Sequence, residues 1–232
     1  MASPTPTLEI PKKSSTPSTS TPYRQIRAHY DDETITVYQA YSASIAVPAV
    51  KHQKLNASPE FSTARMTWIK PSWAWMLYRS GYSYKDLRQT HILALKMTHS
   101  AFLSLLSKAV LSHGEGSKEA DSNKKTKNEG RARPDSVRVQ WDPERTVRLG
   151  RLGYRSIQIG IPGKLVPEWV EGIVGIDDVT ERARELKRVI DEEGSGEKVS
   201  DEALVERGLV PVERVFEVDG ELAGILKMDV GG

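Results

Sequence analysis

Short strand-like segments alternate with helix-like segments along this chain of 232 residues. Residues 34–41 (TITVYQAY) alternate side chains with the period of two that is typical of a half-buried β-strand. Residues 42–55 space their apolar side chains as a helix does, and Pro48 is expected to kink that helix. The same criteria predict strands at 65–69, 91–97, 137–141, 155–161, 173–176 and 212–218, and helices at 71–80, 100–111, 168–172 and 178–192.

Two further features decide between fold classes. Asp142 and Pro143 resemble an N-cap and a first helical position, so a helix is expected to begin there. The chain contains neither GxGxxG nor GxxxxGK[ST], the glycine-rich turns of nucleotide-binding βαβ units. Short strands with intervening helices and no such turn favour an α+β fold.

Composition sets the expected domain boundaries. Residues 1–22 are rich in serine, threonine and proline, which predicts a disordered tail, with a transit peptide as the alternative. Residues 113–134 contain no large apolar side chain, which predicts a disordered loop inside the domain. We therefore expect one domain over residues 23–220 and a C-terminal tail over 221–232.

Several classes of function find no support. The chain has no cysteine, which excludes disulfides and thiolate metal sites, and its five histidines form no HxxxH or HExxH pair, so no metal is expected. No serine, histidine and acid form a recognisable nucleophile arrangement. No apolar run is long enough to cross a membrane, so we expect a soluble, cytoplasmic protein with no membrane partner. A nuclear location and the oligomeric state stay open.

The net charge of +2 hides two halves of opposite sign. Residues 1–160 hold 24 lysine and arginine residues against 13 acidic residues, whereas residues 161–232 hold 9 against 18. A basic first part is able to attract a nucleotide or polyanion. The alternative is that the two halves neutralise each other within the fold.

The segment between Glu60 and Asp86 has no acidic residue and is rich in cations and aromatic rings. Guanidinium and ammonium groups bind phosphate, and flat rings stack on bases, so this composition is typical of a site for a phosphorylated aromatic ligand. The alternatives are that the tryptophans pack in the core and that Arg79 complements a helix dipole. The residues of this segment that are candidates for binding a phosphate or stacking on a base are Arg65, Trp68, Lys70, Trp75, Tyr78 and Arg79.

Polar side chains inside predicted strands add to the candidates. Gln140 and Gln158 interrupt apolar patterns, and a buried amide must find a partner within the fold or on a ligand. Arg155 and Ser156 enter the same strand as Gln158 and suit a phosphate or carboxylate. Arg27 precedes the first strand and is a further phosphate candidate; the alternative is that it pairs with Asp31, Asp32 or Glu33.

Four motifs carry a resemblance to a known family. YRQIRAHYDDETITVYQAY, RMTWIKPSWAWMLYRSG, VRVQWDPER and RSIQIGI occur in the order and approximate spacing of the family called domain of unknown function 4291. The resemblance covers residues 23–217. It implies membership of that family and brings no established activity with it.

A second resemblance, at the level of fold, is to ADP-ribosyltransferase-like domains. VYQAYSASIAVPAVKHQKL looks like their first strand and helix, with Tyr38 and Gln39 at the position of a tyrosine–histidine pair. WMLY followed by HILALKMTHSAF looks like the second unit, and RSIQIGIPGKLVPEWVEGIVGI looks like the third, with Gln158 at the position of the catalytic glutamate. The resemblance implies a mostly antiparallel sheet that is split or strongly curved, flanked by helices, and NAD as the ligand.

These observations lead to two functional hypotheses. The first is an ADP-ribosyltransferase-like domain that binds NAD or a related nucleotide, with Gln158, Gln39 and Tyr38 as the catalytic candidates. The phosphate candidates are then Arg27, Arg65, Lys70, Arg79 and Arg155, the stacking candidates Trp68, Trp75 and Tyr78, and the further polar candidates Gln140 and Ser156. The second is a non-enzymatic module for single-stranded RNA or DNA that uses the same cations and rings.

Overall fold

The computed structural model describes residues 21–112, 136–195 and 198–229. The predicted N-terminal tail, except for its last two residues, and the predicted internal loop lie outside these ranges. The strands are β1 (Arg27–Ala28), β2 (Thr34–Tyr41), β3 (Thr67–Ile69), β4 (His91–Thr98), β5 (Ala109–Leu111), β6 (Val137–Arg145), β7 (Arg151–Ile161), β8 (Ile173–Asp178) and β9 (Arg214–Val215). The α-helices are α1 (Ala43–His52), α2 (Trp73–Ser80), α3 (His99–Ser107), α4 (Val166–Glu171), α5 (Thr180–Glu192), α6 (Asp201–Glu206) and α7 (Gly220–Leu226).

The strands of the described residues form three sheets. The first has the order β2-β4-β8 and is antiparallel, and the second has the order β3-β7-β6-β5, in which only β5 and β6 are parallel. A small antiparallel pair joins β1 to β9. The predicted α+β class is therefore confirmed, with antiparallel and mixed sheets and no closed barrel among the described residues.

One backbone bridge joins the two larger sheets. The amide of Tyr38 donates to the carbonyl of Lys70 at 2.6 Å, and the amide of Lys70 donates back to the carbonyl of Tyr38 at 3.2 Å. Tyr38 lies on the outer strand of the first sheet, and Lys70 directly follows β3 on the outer edge of the second. The edges of the two sheets therefore meet at this point.

Apolar side chains form two buried clusters. The larger one lies among both main sheets, α1 and α3, and includes Val37, Leu95 and Ile159, which are fully buried. The smaller one joins α2, α5 and α6 and includes Trp73, Leu186 and Leu204. The helices thus bury their apolar faces against the strands, which is the main source of stability in a fold of this class.

Ion pairs connect the basic and acidic parts of the chain. Arg148 binds Glu193 at 2.5 Å and Asp201 at 2.6 Å, and its side chain is only 16% exposed. More exposed pairs join Lys54 to Glu171 and Lys96 to Asp177. The charge division therefore serves, at least in part, to hold the two parts of the chain together.

Several predicted elements agree closely with the structure. The strand at 34–41 has the predicted bounds, and the strand at 91–97 is one residue longer. Helix α2 ends at Gly81, whose φ of 56° suits glycine, as predicted. Its start differs from the predicted one at Pro71. The helix begins at Trp73, and the hydroxyl of the N-cap residue Ser72 accepts a hydrogen bond from the amide of Trp75.

Other predictions were wrong. No helix begins at Asp142: β6 continues to Arg145, and Pro143 lies at an irregularity in the pairing with β7, where a missing amide hydrogen is tolerated. The helix predicted to end at residue 111 stops at Ser107, and Ala109 to Leu111 pair with β6 instead.

The predicted C-terminal tail was also wrong for residues 221–226. They belong to α7, which begins at an N-cap, Asp219, whose carboxylate accepts from the amide of Leu222 at 2.8 Å. The helix buries Leu222 and Leu226 in the larger core cluster. The apolar spacing of this short segment is an amphipathic signal that was overlooked at the end of the chain.

Adjacent residues of α7 allow a matched test of this packing. Leu226 is fully buried, whereas Ile225 is 42% exposed. Leu226→Ala is expected to lower the free energy of unfolding by about 2–5 kcal/mol, because it leaves a cavity in the core. Ile225→Ala is expected to lower it by less than about 1 kcal/mol. Urea unfolding followed by circular dichroism measures both, and equal effects would contradict the burial of α7.

Candidate functional site

A cleft of about 320 Å³ opens where the two larger sheets meet. It brings together residues that are far apart in the sequence and that come from β2, β3, α2 and β7. Six of the predicted site residues line it, namely Gln39, Arg65, Trp68, Lys70, Arg79 and Gln158. Its volume is in the range of small-molecule sites.

Trp68 forms one wall of the cleft and packs on the backbone of β7. It pairs with Gly160 across the two strands, and a Cβ atom added at Gly160 would lie 2.7 Å from the indole. A real Cβ atom does not approach a ring so closely, so only glycine lets Trp68 occupy this position. The absence of a side chain at residue 160 therefore leaves the space that the indole occupies in the cleft wall.

Gln39 and Gln158 enter the cleft from different sheets. Gln39 donates from its amide nitrogen to the Thr67 hydroxyl, and its oxygen accepts from the Tyr41 hydroxyl at 2.6 Å. Gln158 donates to the Gln140 side chain at 3.1 Å on the neighbouring strand. Both amides therefore have a partner within the fold, and each still has hydrogen-bonding capacity for a ligand.

Lys70 is the buried cation of the cleft. Its residue exposure is 3%, and its ammonium makes no hydrogen bond to any of the described residues. Asp142 lies 3.9 Å from Nζ, and the Trp75 ring centre lies 4.1 Å from it. Burial lowers the pKa of Lys70 to about 7, although the carboxylate of Asp142 opposes this effect.

The two other predicted aromatic residues, Trp75 and Tyr78, stack on each other, and a cation covers the outer face of each ring. We call these four residues, Lys70, Trp75, Tyr78 and Arg145, the ring stack. Trp75 and Tyr78 stack with centroids 4.9 Å apart, as their spacing on one helix face predicts. Lys70 lies over Trp75, and the Arg145 guanidinium lies 3.8 Å from the Tyr78 centroid. The faces of both rings are thus engaged with protein groups, and neither residue is among those that line the cleft.

The remaining predicted site residues lie outside the cleft. The Arg155 guanidinium donates to the Tyr23 hydroxyl at 2.7 Å, and Arg27 lies 4.8 Å from the Tyr154 ring centre. Ser156 is buried on β7, opposite Asp142 of β6. Tyr38 is 1% exposed and packs against Trp73, so its side chain belongs to the core even though its neighbour Gln39 lines the cleft.

Three carboxylates that are not among the predicted site residues lie close to the site. Asp142 was interpreted as a helix cap, but in the structure it accepts from the Trp75 indole nitrogen at 3.2 Å. Glu144 accepts from the Ser72 hydroxyl at 2.9 Å, and Glu213 accepts from the amide of Trp73 at 2.6 Å. The period-two spacing of Asp142 and Glu144 after Gln140 was the signal that β6 continues and carries them on one face.

Two of these carboxylates, the buried Glu144 and the half-buried Glu213, lie at the start of α2. Burial, together with the negative charge of Glu144, raises the pKa of Glu213 to about 8. The hydrogen bond from the Trp73 amide and the charge of Arg27 lower this pKa but do not offset the rise. Burial also raises the pKa of Glu144, although the Arg145 amide and the Ser72 hydroxyl favour its charged form. Glu213 is therefore expected to be largely protonated at neutral pH.

Other lining residues were also not predicted. They are Ala40, Met66, Thr67, Met76 and Gln89. Thr67 and Met66 fall in the acid-free segment but carry neither a charge nor a ring, so composition did not mark them. No group of three or more histidine, aspartate or glutamate side chains in the described ranges has the arrangement of a metal site. None of the helices in those ranges is long and apolar enough to span a bilayer.

Comparison with known proteins identifies a family. A family model described as a domain of unknown function, DUF4291, matches residues 25–216. No match is found among curated proteins. The resemblance to this family that the four sequence motifs indicate is confirmed over most of the chain.

Two glycines of β7 allow a test of the cleft wall. Gly160→Ala is expected to destabilise the protein by about 1–3 kcal/mol, because the new methyl group forces Trp68 or its strand to move. Gly153→Ala is the control, because nothing lies within 4 Å of a Cβ atom there. Thermal unfolding of both variants gives the comparison, and a Gly160→Ala protein as stable as the control would show that the indole does not occupy the described position.

Glu213→Gln tests the protonation of Glu213. The pKa of Glu213 is about 8 in the folded protein and about 4.5 in the unfolded chain. Between these values the unfolded chain releases the proton and the folded protein keeps it, so ionisation destabilises the wild type progressively as pH rises. The uncharged variant still offers an oxygen to the Trp73 amide and avoids this loss.

Urea unfolding from pH 5 to pH 8 measures the effect. The stability of Glu213→Gln relative to the wild type is expected to rise by more than about 1 kcal/mol over this interval. Glu217→Gln, at an exposed glutamate nearby, provides the control and is expected to give a constant offset. Parallel curves for Glu213→Gln and the wild type would exclude a raised pKa of Glu213.

Proposed function

The chain belongs to the DUF4291 family, and we propose that it binds NAD or a related nucleotide in the cleft between its two larger sheets. The observation that carries the proposal is the lining of the cleft. It combines two guanidinium groups, an indole ring and three side-chain amides, and none of the described residues in the lining has a carboxylate. Such a lining matches a ligand that has phosphates, an aromatic base and sugar hydroxyls.

Arg65 and Arg79 suit the phosphates. Both side chains are exposed, and among the described residues neither has an ion-pair or hydrogen-bond partner. An arginine keeps its charge at any physiological pH and binds a phosphate with two parallel hydrogen bonds. Two unpaired guanidinium groups at one cleft are therefore available for an anion.

Trp68 suits the base. One side of its ring packs on Gly160, and the residue also lines the cleft. The indole is held in place without a cation over it among the described residues, in contrast to Trp75 and Tyr78. A fixed aromatic wall favours stacking, because little conformational entropy is lost when the ligand binds.

Gln39 and Gln158 suit the ribose hydroxyls. Gln39 lies on the edge strand β2 of the first sheet and Gln158 on the inner strand β7 of the second, and the resemblance to ADP-ribosyltransferase-like domains assigns both to a NAD cleft in a split sheet. A glutamine hydrogen-bonds a hydroxyl but does not supply the negative charge that stabilises an oxocarbenium-like transition state. The proposal is accordingly one of binding, and ADP-ribosyl transfer is not part of it.

Single-stranded nucleic acid is the alternative ligand, and it has less support. Arg27 and Arg155 are engaged with tyrosines away from the cleft, so the predicted cations do not line one shared groove. The stacked faces of Trp75 and Tyr78 are also occupied. A polymer site generally needs a continuous row of cations and open rings.

Calorimetric titration with NAD, ADP-ribose and ATP tests the proposal. We expect at least one of them to bind, with a dissociation constant in the range of micromolar to low millimolar. Arg65→Ala and Arg79→Ala are each expected to weaken binding about tenfold or more, because each removes a charged hydrogen bond to phosphate. Arg207→Ala, at an arginine that does not line the cleft, is the control for net charge.

No binding of any of the three ligands at millimolar concentration would reject the nucleotide proposal. If the same protein then binds single-stranded RNA or DNA with an affinity that falls steeply between 50 and 200 mM salt, the polymer alternative is favoured.

A further inference from the structure

The ammonium group of Lys70 is a buried cation without a hydrogen bond. Its nearest acidic atom among the described residues, Oδ2 of Asp142, is 3.9 Å away, which is too far for a hydrogen bond. Its side chain is almost fully buried and lines the cleft. A buried donor without a partner is costly, so its retention in a cleft is a sign of a role with a ligand.

We propose that Lys70 is a nucleophilic amine that forms an imine with a phosphorylated aldehyde or ketone bound in the cleft. This inference deepens the proposed function, since it rests on the cleft binding a phosphorylated ligand, but it does not require that ligand to be NAD. A lysine amine in an apolar site is the group that proteins use for this chemistry.

The surroundings of Lys70 favour the neutral amine that the reaction needs. The indole of Trp75 covers one side of it, and burial brings the pKa to about 7. Three charged groups act on it: Asp142 and Glu144 on β6 raise the pKa, and Arg79 on α2 lowers it. The neutral fraction of Lys70 at pH 7.5 is then far larger than that of an ordinary lysine, of which roughly one in a thousand is neutral.

The reaction balances with the groups present. The nitrogen lone pair of Lys70 attacks the carbonyl carbon, and the electron pair of the C=O bond moves to oxygen. A proton then passes from nitrogen to that oxygen and gives a carbinolamine, which loses water as the C=N bond forms. Asp142 is the carboxylate assigned to accept and return the proton; its oxygen lies 3.9 Å from Nζ, so the two side chains must move closer together when the ligand binds.

The arginines explain why the ligand should carry a phosphate. Arg65 and Arg79 are exposed in the same cleft lining to which Lys70 belongs, and the Lys70 amine lies buried just behind that lining, beside Trp75 and Asp142. A ligand that places its phosphate on the guanidinium groups is therefore able to direct a carbonyl group toward the amine. Binding first and reacting second raises the effective concentration of the carbonyl group at Lys70.

Borohydride trapping with pyridoxal 5′-phosphate tests the proposal. The probe is an aromatic aldehyde with a phosphate, and reduction converts its imine into a stable label that peptide mass spectrometry locates. At low probe concentration and pH 7.5 we expect Lys70 to carry most of the label in the full-length protein. Pyridoxal, which lacks the phosphate, is expected to label Lys70 at least tenfold less.

Lys70→Arg keeps a cation and is expected to lose this label, whereas Lys85→Arg, at an exposed lysine of the same segment, is expected to retain it. If the Lys70→Arg protein does not fold, the dependence of Lys70 labelling on pH in the wild type tests the proposal instead. Labelling of Lys70 is then expected to reach half its maximum near pH 7, and that of exposed lysines to rise beyond pH 9.

Label spread over exposed lysines with Lys70 unmodified, or a Lys70 profile that matches the exposed ones, would overturn the proposal. The two proposals fail separately. Selective labelling of Lys70 without calorimetric binding of NAD, ADP-ribose or ATP would overturn only the nucleotide assignment. Nucleotide binding that Arg65→Ala abolishes, with Lys70 unlabelled, would overturn only the reactive amine.

Discussion

The reciprocal pair of backbone hydrogen bonds between Tyr38 and Lys70 is the contact on which the site depends. It holds the edges of two sheets together at one point, and the cleft lies where the strands beyond that point no longer pair. Side chains alternate along each strand, so Tyr38 turns into the core while Gln39 enters the cleft. The same bridge fixes Lys70, since its backbone is tied to the first sheet and its side chain is buried in the cleft.

The fold was predictable where one periodicity dominated. The strand at residues 34–41 has an unbroken alternation, and its bounds were found from the sequence. β6 was cut short because Asp142 and Pro143 have the local chemistry of a helix start, and only the pairing with β7 shows that the strand continues. Local propensity was overridden there by tertiary pairing, which no single segment of sequence reveals.

The candidate site was predictable in part, for a similar reason. Absence of acidic residues identified Arg65, Lys70 and Arg79, and the polar interruptions of apolar strands identified Gln158. Composition did not reveal that Trp75 and Tyr78 would be covered by cations, whereas no cation of the described residues lies over Trp68. That difference depends on which residues face each ring in three dimensions, and on a glycine at position 160 that is 92 positions away in the chain.

The ring stack connects the chemistry of Lys70 to an optical property. Indole emission shifts with the electric field at the ring, and the Lys70 charge lies 4.1 Å from the centre of Trp75 while Asp142 holds the indole nitrogen. Any event that removes this charge, whether loss of a proton or a covalent bond to a ligand, changes that field directly. Among the five tryptophans of the chain, Trp75 is thus the one whose emission is expected to respond to the charge of Lys70.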